Sequence, residues 1–136
     1  MENNLPVHYR YSDGVDQEGL LLIESKFYPI KETKCFYWIL DEWAYSSYRL
    51  GNESFAKMAN RVSKNGIVRK CYPTKEQALA SYKARKLAQL EHAKNAIDIA
   101  TLAVKSLSRV KSPSELSDSS YGHCKIIGYA EFIKKY

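Results

Sequence analysis

From Thr74 to Lys111 the chain contains neither proline nor glycine, and its apolar residues recur at helical spacing. Leu79, Tyr82, Lys86, Leu90, Ala93, Ile97, Ala100, Val104 and Leu107 follow one another at steps of three or four, interrupted only by the charge of Lys86. Such a stripe occupies one face of an α-helix. The start is marked by Pro73-Thr74-Lys75-Glu76-Gln77, in which Thr74 can accept from the Gln77 amide while the Gln77 side chain reaches back. The end is marked by Ser112-Pro113-Ser114-Glu115. A helix of about 33 residues is about 50 Å long, more than a domain of this size can bury. Either another surface covers it or it breaks in two. In its second half Ile97, Ile99, Ala100, Leu102, Ala103 and Val104 spread apolar groups over most of the circumference, which predicts enclosure or sharing between subunits. A homo-oligomer through Ile97, Ala100 and Val104 is therefore expected.

The half of the chain before this helix reads as strands. Pro6–Tyr11 alternates loosely and precedes a turn-like Ser12-Asp13-Gly14. Leu20–Ile23 and Cys35–Leu40 are short apolar runs that suit buried strands, with Phe27–Ile30 extended between them. Asp41–Ser47 looks like a connection. Residues 53–62 are ambiguous: Phe55, Met58, Ala59 and Val62 fall on one face of a short helix that Asn52 could cap, while Asn65-Gly66 signals a turn into a strand over Ile67–Tyr72. Alternation places Trp38 in the core and Tyr37 on the opposite face. The fold class expected is α+β: a single domain with a small antiparallel sheet in residues 5–72 and one long helix in 74–110. A loop over 111–124 and an apolar docking tail over 125–136 complete it.

The 136 residues are 45% hydrophobic, enough to bury a core without disulfides. Three scattered cysteines, Cys35, Cys71 and Cys124, suit a reducing compartment. No apolar run approaches the roughly 20 residues of a membrane span, and the polar start Met1-Glu2-Asn3-Asn4 does not resemble a secretory signal. His8, His92 and His123 are far apart in sequence, and His123-Cys124 has no second pair to complete a metal site. Cys71 beside Arg69 and Lys70 could be activated, but a buried structural cysteine is the commoner outcome. Glycine-rich phosphate loops are absent. The reading is a non-enzymatic protein with no metal and no cofactor.

The formal charge of +6 is not spread evenly. Residues 61–86 carry eight lysines and arginines against one acid, Glu76; the sixty residues before them carry six against nine, and the fifty after them seven against five. Dense like charge is repulsive, so an anionic partner is the expected reason for it. Arg61, Arg69, Lys70, Lys75, Lys83, Arg85 and Lys86 supply charge around the start of the long helix, whose amide dipoles also attract anions. Tyr72 and Tyr82 add faces on which bases could stack. The ligand expected is an anionic nucleotide or a nucleic acid.

The segment from Arg61-Val62-Ser63-Lys64-Asn65-Gly66 through Tyr72-Pro73-Thr74-Lys75-Glu76-Gln77-Ala78 to Arg85-Lys86 resembles a pattern in small bacteriophage accessory proteins. In these a short sheet ends in a capped helix start, with an arginine-lysine pair a few turns later. The similarity covers about a fifth of the chain. Proteins of that size and architecture include anti-defence proteins, some sequestering signalling nucleotides without cleaving them and others blocking nucleic-acid-guided nucleases. The resemblance implies a counter-defence role in the cytoplasm of a host cell, by nucleotide sequestration, by nucleic-acid binding through the same patch, or by inhibition of a host defence protein.

Overall fold

In the computed structural model of the chain, residues 4–66 and 69–128 are described. The fold is α+β: a curled four-stranded antiparallel sheet in the N-terminal half, one long helix in the C-terminal half, and a short second sheet. Two compact units divide it, one ending at Arg85 and one beginning at Lys86.

In the first unit, β1 (His8–Asp16) and β2 (Gly19–Glu32) form a long hairpin, followed by β3 (Phe36–Asp41) and β4 (Asn60–Ser63), in the spatial order β1-β2-β3-β4. The hairpin turns at Gln17-Glu18, not at Ser12-Asp13-Gly14, which lies inside β1 with Asp13 opposite Leu22 and Gly14 opposite Leu21. The Asp16 carboxylate accepts from the Glu18 amide at 2.7 Å, and Gly19 adopts φ +125°, open to glycine and strained for other residues. Pro29 cannot donate to a ladder, and the β2–β3 register shifts between Pro29 and Lys31. The expected strand over Leu20–Ile23 forms, yet it is not buried: Leu20, Leu22 and Ile23 are exposed.

The Asp41–Ser47 connection is instead α1 (Glu42–Arg49). Asp41 caps it by accepting from the Ala44 amide at 2.7 Å, with Glu42 and Arg49 complementing the dipole at the two ends. The ambiguous stretch resolves into both forms, a 3₁₀ helix over Glu53–Met58 and then β4; the Asn52 side chain makes no cap bond. Phe27, Ile39, Val62 and Cys71 form the core cluster, and Tyr37 packs against it. Trp38 lies on the other side, lining a groove with Ile30, Ala56 and Ala59. Alternation thus gave the right period and the wrong face. The strand expected over Ile67–Tyr72 is reduced, in its described residues, to a bridge at Tyr72; Ile67 and Val68 lie outside the described residues.

The long helix, α2 (Lys75–Leu107), has 33 residues and runs without a break. Its Thr74 hydroxyl accepts from the Gln77 amide at 3.2 Å, while the Gln77 side chain meets that hydroxyl at 3.1 Å, so the cap forms with a modified return bond. Ala78 is buried on its first turns. In the second unit, Ser112 and Glu115 form a complete capping box on a 3₁₀ turn at Pro113–Glu115. The amides of Lys111 and Ser112 both donate to Glu115, holding its carboxyl below the usual range. β5 (Ser117–Asp118) and β6 (Lys125–Ile126) pair beyond it. Leu102, Ala103 and Ser106 are half-buried, and Gly128 lies so close to Leu102 that a Cβ there would come within 2.5 Å of its side chain. Of the expected docking tail, residues 129–136 lie outside the described residues.

Candidate functional site

Tyr9 of β1 and Tyr72 exchange both backbone hydrogen bonds, at 2.7 and 2.9 Å. This one bridge brings the segment Arg69–Cys71 against the edge strand and determines which cations meet. Arg10, next to Tyr9, donates from Nη1 to the Lys70 carbonyl at 2.8 Å. Cys71 is wholly buried beneath them. Burial pushes its thiol up to about 11, against the opposing pull of Lys70, Arg69 and Arg10. At neutral pH it is therefore protonated and a poor nucleophile. His8 is also wholly buried. Its Nδ1 bonds the Pro6 carbonyl at 2.8 Å, its Nε2 has no partner, and its ring meets Tyr37 edge-on at 5.0 Å. Burial lowers its pKa; the Pro6 carbonyl pulls the other way, and Arg69 adds to the lowering.

Folding supplies a local reason for the crowded charge. Most of these cations rest on an aromatic ring: Arg69 over Tyr72 at 5.2 Å, Lys70 over Phe27 at 5.0 Å, Lys75 over Tyr9 at 5.3 Å and Arg61 over Phe36 at 4.3 Å. Each such contact contributes about 0.5–1 kcal/mol at an exposed position. The rings make no net neutralisation, however. Lys75 has a carboxylate, Glu24, at 3.5 Å. Arg10, Arg69 and Lys70 have none among the described residues. Arg69 also keeps a buried Nε–H without an acceptor.

The expected site residues fall into separate groups. Arg69, Lys70, Tyr72 and Lys75 gather around the Tyr9–Tyr72 bridge. Arg61 stands on β4, opposite Trp38 of β3. Tyr82 and Arg85 are turned onto β1: the Tyr82 hydroxyl donates to Asp13 at 2.7 Å, and Arg85 donates to the Tyr11 carbonyl. Lys83 is exposed on α2. Lys86, in the second unit, donates to Gln89 at 3.0 Å. Arg10 was not among the residues singled out from the sequence. It lies sixty positions from its partner Lys70, so no local pattern could have pointed to it.

Beside Lys70 a cavity of about 120 Å³ is floored by Phe27, Ile39, Leu40 and Ala44 and edged by Asp41, Met58 and Asn60. Ligand pockets for drug-sized molecules begin near 300 Å³, so this cavity does not enclose a nucleotide. Among the described residues no group of three or more histidines, cysteines or acids is arranged to hold a metal, and no helix is long and apolar enough to cross a membrane. No protein family, curated protein or solved structure matches the chain.

Proposed function

We propose that the first unit is a non-enzymatic binder of phosphate-bearing ligands, and that a nucleic-acid strand lies across the surface formed by Arg10, Arg69 and Lys70. The observation that carries this reading is the convergence of three cations around Cys71 with no carboxylate partner among the described residues. Lys75 at the same bridge extends the positive surface, and Arg61 on β4 and Lys83 on α2 add positive charge elsewhere on the unit. The small size of the cavity beside Lys70 favours a ligand held on an open face over one enclosed in a single chain. The Lys70 ammonium, over the Phe27 ring on an exposed residue, stands where phosphates reach it.

The second reading is sequestration of a signalling nucleotide in a bacteriophage counter-defence setting, supported by the resemblance of the 61–86 segment. It uses the same cations and needs further walls around the ligand. One titration series separates the two. Labelled single-stranded oligonucleotides and small cyclic and linear nucleotides are titrated into the protein by anisotropy at several salt concentrations. Strand binding that falls about tenfold or more for each threefold rise in salt supports the open surface. Retention of an intact small nucleotide, recovered after heat denaturation, supports sequestration. Arg69→Glu with Lys70→Glu abolishes either. Binding unaffected by that pair overturns both and turns attention to a host defence protein as the partner.

A further inference from the structure

The stripe that predicted α2 is open along its second half. Ile97 is 64% exposed, Val104 73% and Leu90 52%, and Ala93, Ala100 and Leu107 between them are exposed as well. A groove at this face is lined by Ala100, Thr101, Val104 and Lys105. Of the half-buried positions of the same stretch, Asn95, Asp98, Leu102 and Ser106 lie on the other side of the helix, and Ala103 lies about a quarter-turn from the middle of the stripe. Leu102, against which the described chain ends at Gly128, is about 170° around the helix from the middle of the stripe.

We infer that this open face is a self-association site, and that two copies of the chain pair their α2 helices antiparallel over Leu90–Leu107. The spacing 90, 93, 97, 100, 104, 107 alternates by three and four throughout, as in the seam of a two-helix coiled coil. Its order of sizes is large, small, large, small, large, large. Laid antiparallel on itself, that order forms the layers Leu90 with Leu107, Ala93 with Val104, and Ile97 with Ala100, each repeated by symmetry. Every inner layer pairs a large side chain with a small one, and two leucines close each end.

A parallel pairing does not work as well. It stacks Ala93 on Ala93 and Ala100 on Ala100, leaving thin layers between thick ones. It also puts Lys86, which interrupts the stripe toward the helix start, directly against its own copy. The antiparallel pairing keeps this lysine beyond the far end of the partner helix, which stops at Leu107. The flanking positions Gln89, Lys94, Ala96, Thr101 and Ala103 carry one charge among five, so neither flank opposes the contact. This complementarity of the seam with its own reverse singles out a second copy over an unrelated helix. The seam spans about 26 Å, which suits a reversible dimer in the micromolar range.

The test uses the full chain. Sedimentation equilibrium from about 1 µM to about 1 mM is expected to show a monomer–dimer equilibrium. Ile97→Lys raises the dissociation constant about 100-fold or more, since two buried isoleucines are lost per dimer, and leaves helical circular dichroism unchanged. Orientation is read by disulfide trapping after Cys35→Ser and Cys124→Ser. Ala93→Cys and Val104→Cys chains cross-link when mixed and not when oxidised alone. Cross-linking of Ala93→Cys chains with each other overturns the antiparallel register. A monomer at every concentration overturns the site, and if Ile97→Lys then also lowers chain stability, the face is covered from within the same chain.

Discussion

The first three turns of α2 and its stretch from Leu90 to Leu107 share one periodicity and meet opposite fates. In the first, Ala78 is buried, Tyr82 bonds Asp13, and Arg85 bonds the Tyr11 carbonyl. In the second, Leu90, Ile97 and Val104 stand in water. The edge strand β1 offers carbonyls and a carboxylate to the first turns, whereas the later seam is exposed. An apolar stripe therefore specifies a helix and a contact face, and does not say whether the contact is internal.

The same substitution placed in both regions is the sharpest way to break this contrast. Ala78→Glu introduces a charge at a position 1% exposed and is expected to lower unfolding stability by about 4 kcal/mol. Ala100→Glu on the open seam should change it by less than about 0.5 kcal/mol at concentrations where the chain is monomeric. Urea denaturation of both variants decides it; equal losses would mean that the seam is covered.

Acid should weaken the first unit next. His8 is buried with its pKa below the ordinary 6.5. Well above pH 6.5 neither the folded nor the unfolded chain carries the His8 charge. As pH falls below that value the unfolded chain takes the proton first, so stability declines until the folded imidazole titrates too. The slope for one proton is at most about 1.4 kcal/mol per pH unit. His8→Phe removes it from a series of urea unfolding curves.

Smaller effects sharpen the picture of the first turns. Tyr82→Phe deletes the bond to Asp13 and should cost about 1–2 kcal/mol, read as a shift in the urea midpoint. Arg61→Gln, which loses only an exposed contact over Phe36, should cost less than about 0.5 kcal/mol. Its effect on oligonucleotide affinity, measured by anisotropy, should be clear at low salt and vanish at high salt.

The long helix was legible because its cap, its period and its terminating Ser-Pro pair are all local signals. The sheet was legible as strands, less so in its turns. Asp13-Gly14 looked like a turn because its residue types tolerate one, yet the ladder continued through it, since pairing Asp13 with Leu22 and Gly14 with Leu21 keeps the hairpin in register. The helix α1 was overlooked although Asp41, Glu42 and Arg49 carry its cap and dipole signals; at eight residues it is too short for periodicity to reveal. Trp38 and Tyr37 exchanged faces because alternation supplies a period without an origin. In the candidate site, the charge-rich segment was visible from composition. Its grouping was not, because Arg10 joins Arg69 and Lys70 only through the Tyr9–Tyr72 bridge, and Tyr82 and Arg85 are drawn away by β1.

The order of residues alone settled that this chain carries a capped helix start followed by helical spacing, strands ahead of it, and an excess of positive charge at their junction. Those properties follow from dihedral preference, short-range hydrogen bonding and spacing, which act over a few residues. Tertiary structure alone decided which cations share a surface, which are paired with a carboxylate, and which length of the helix keeps its apolar face in solvent. Such outcomes depend on distances between residues remote in the chain, and those distances exist only once the sheet has closed.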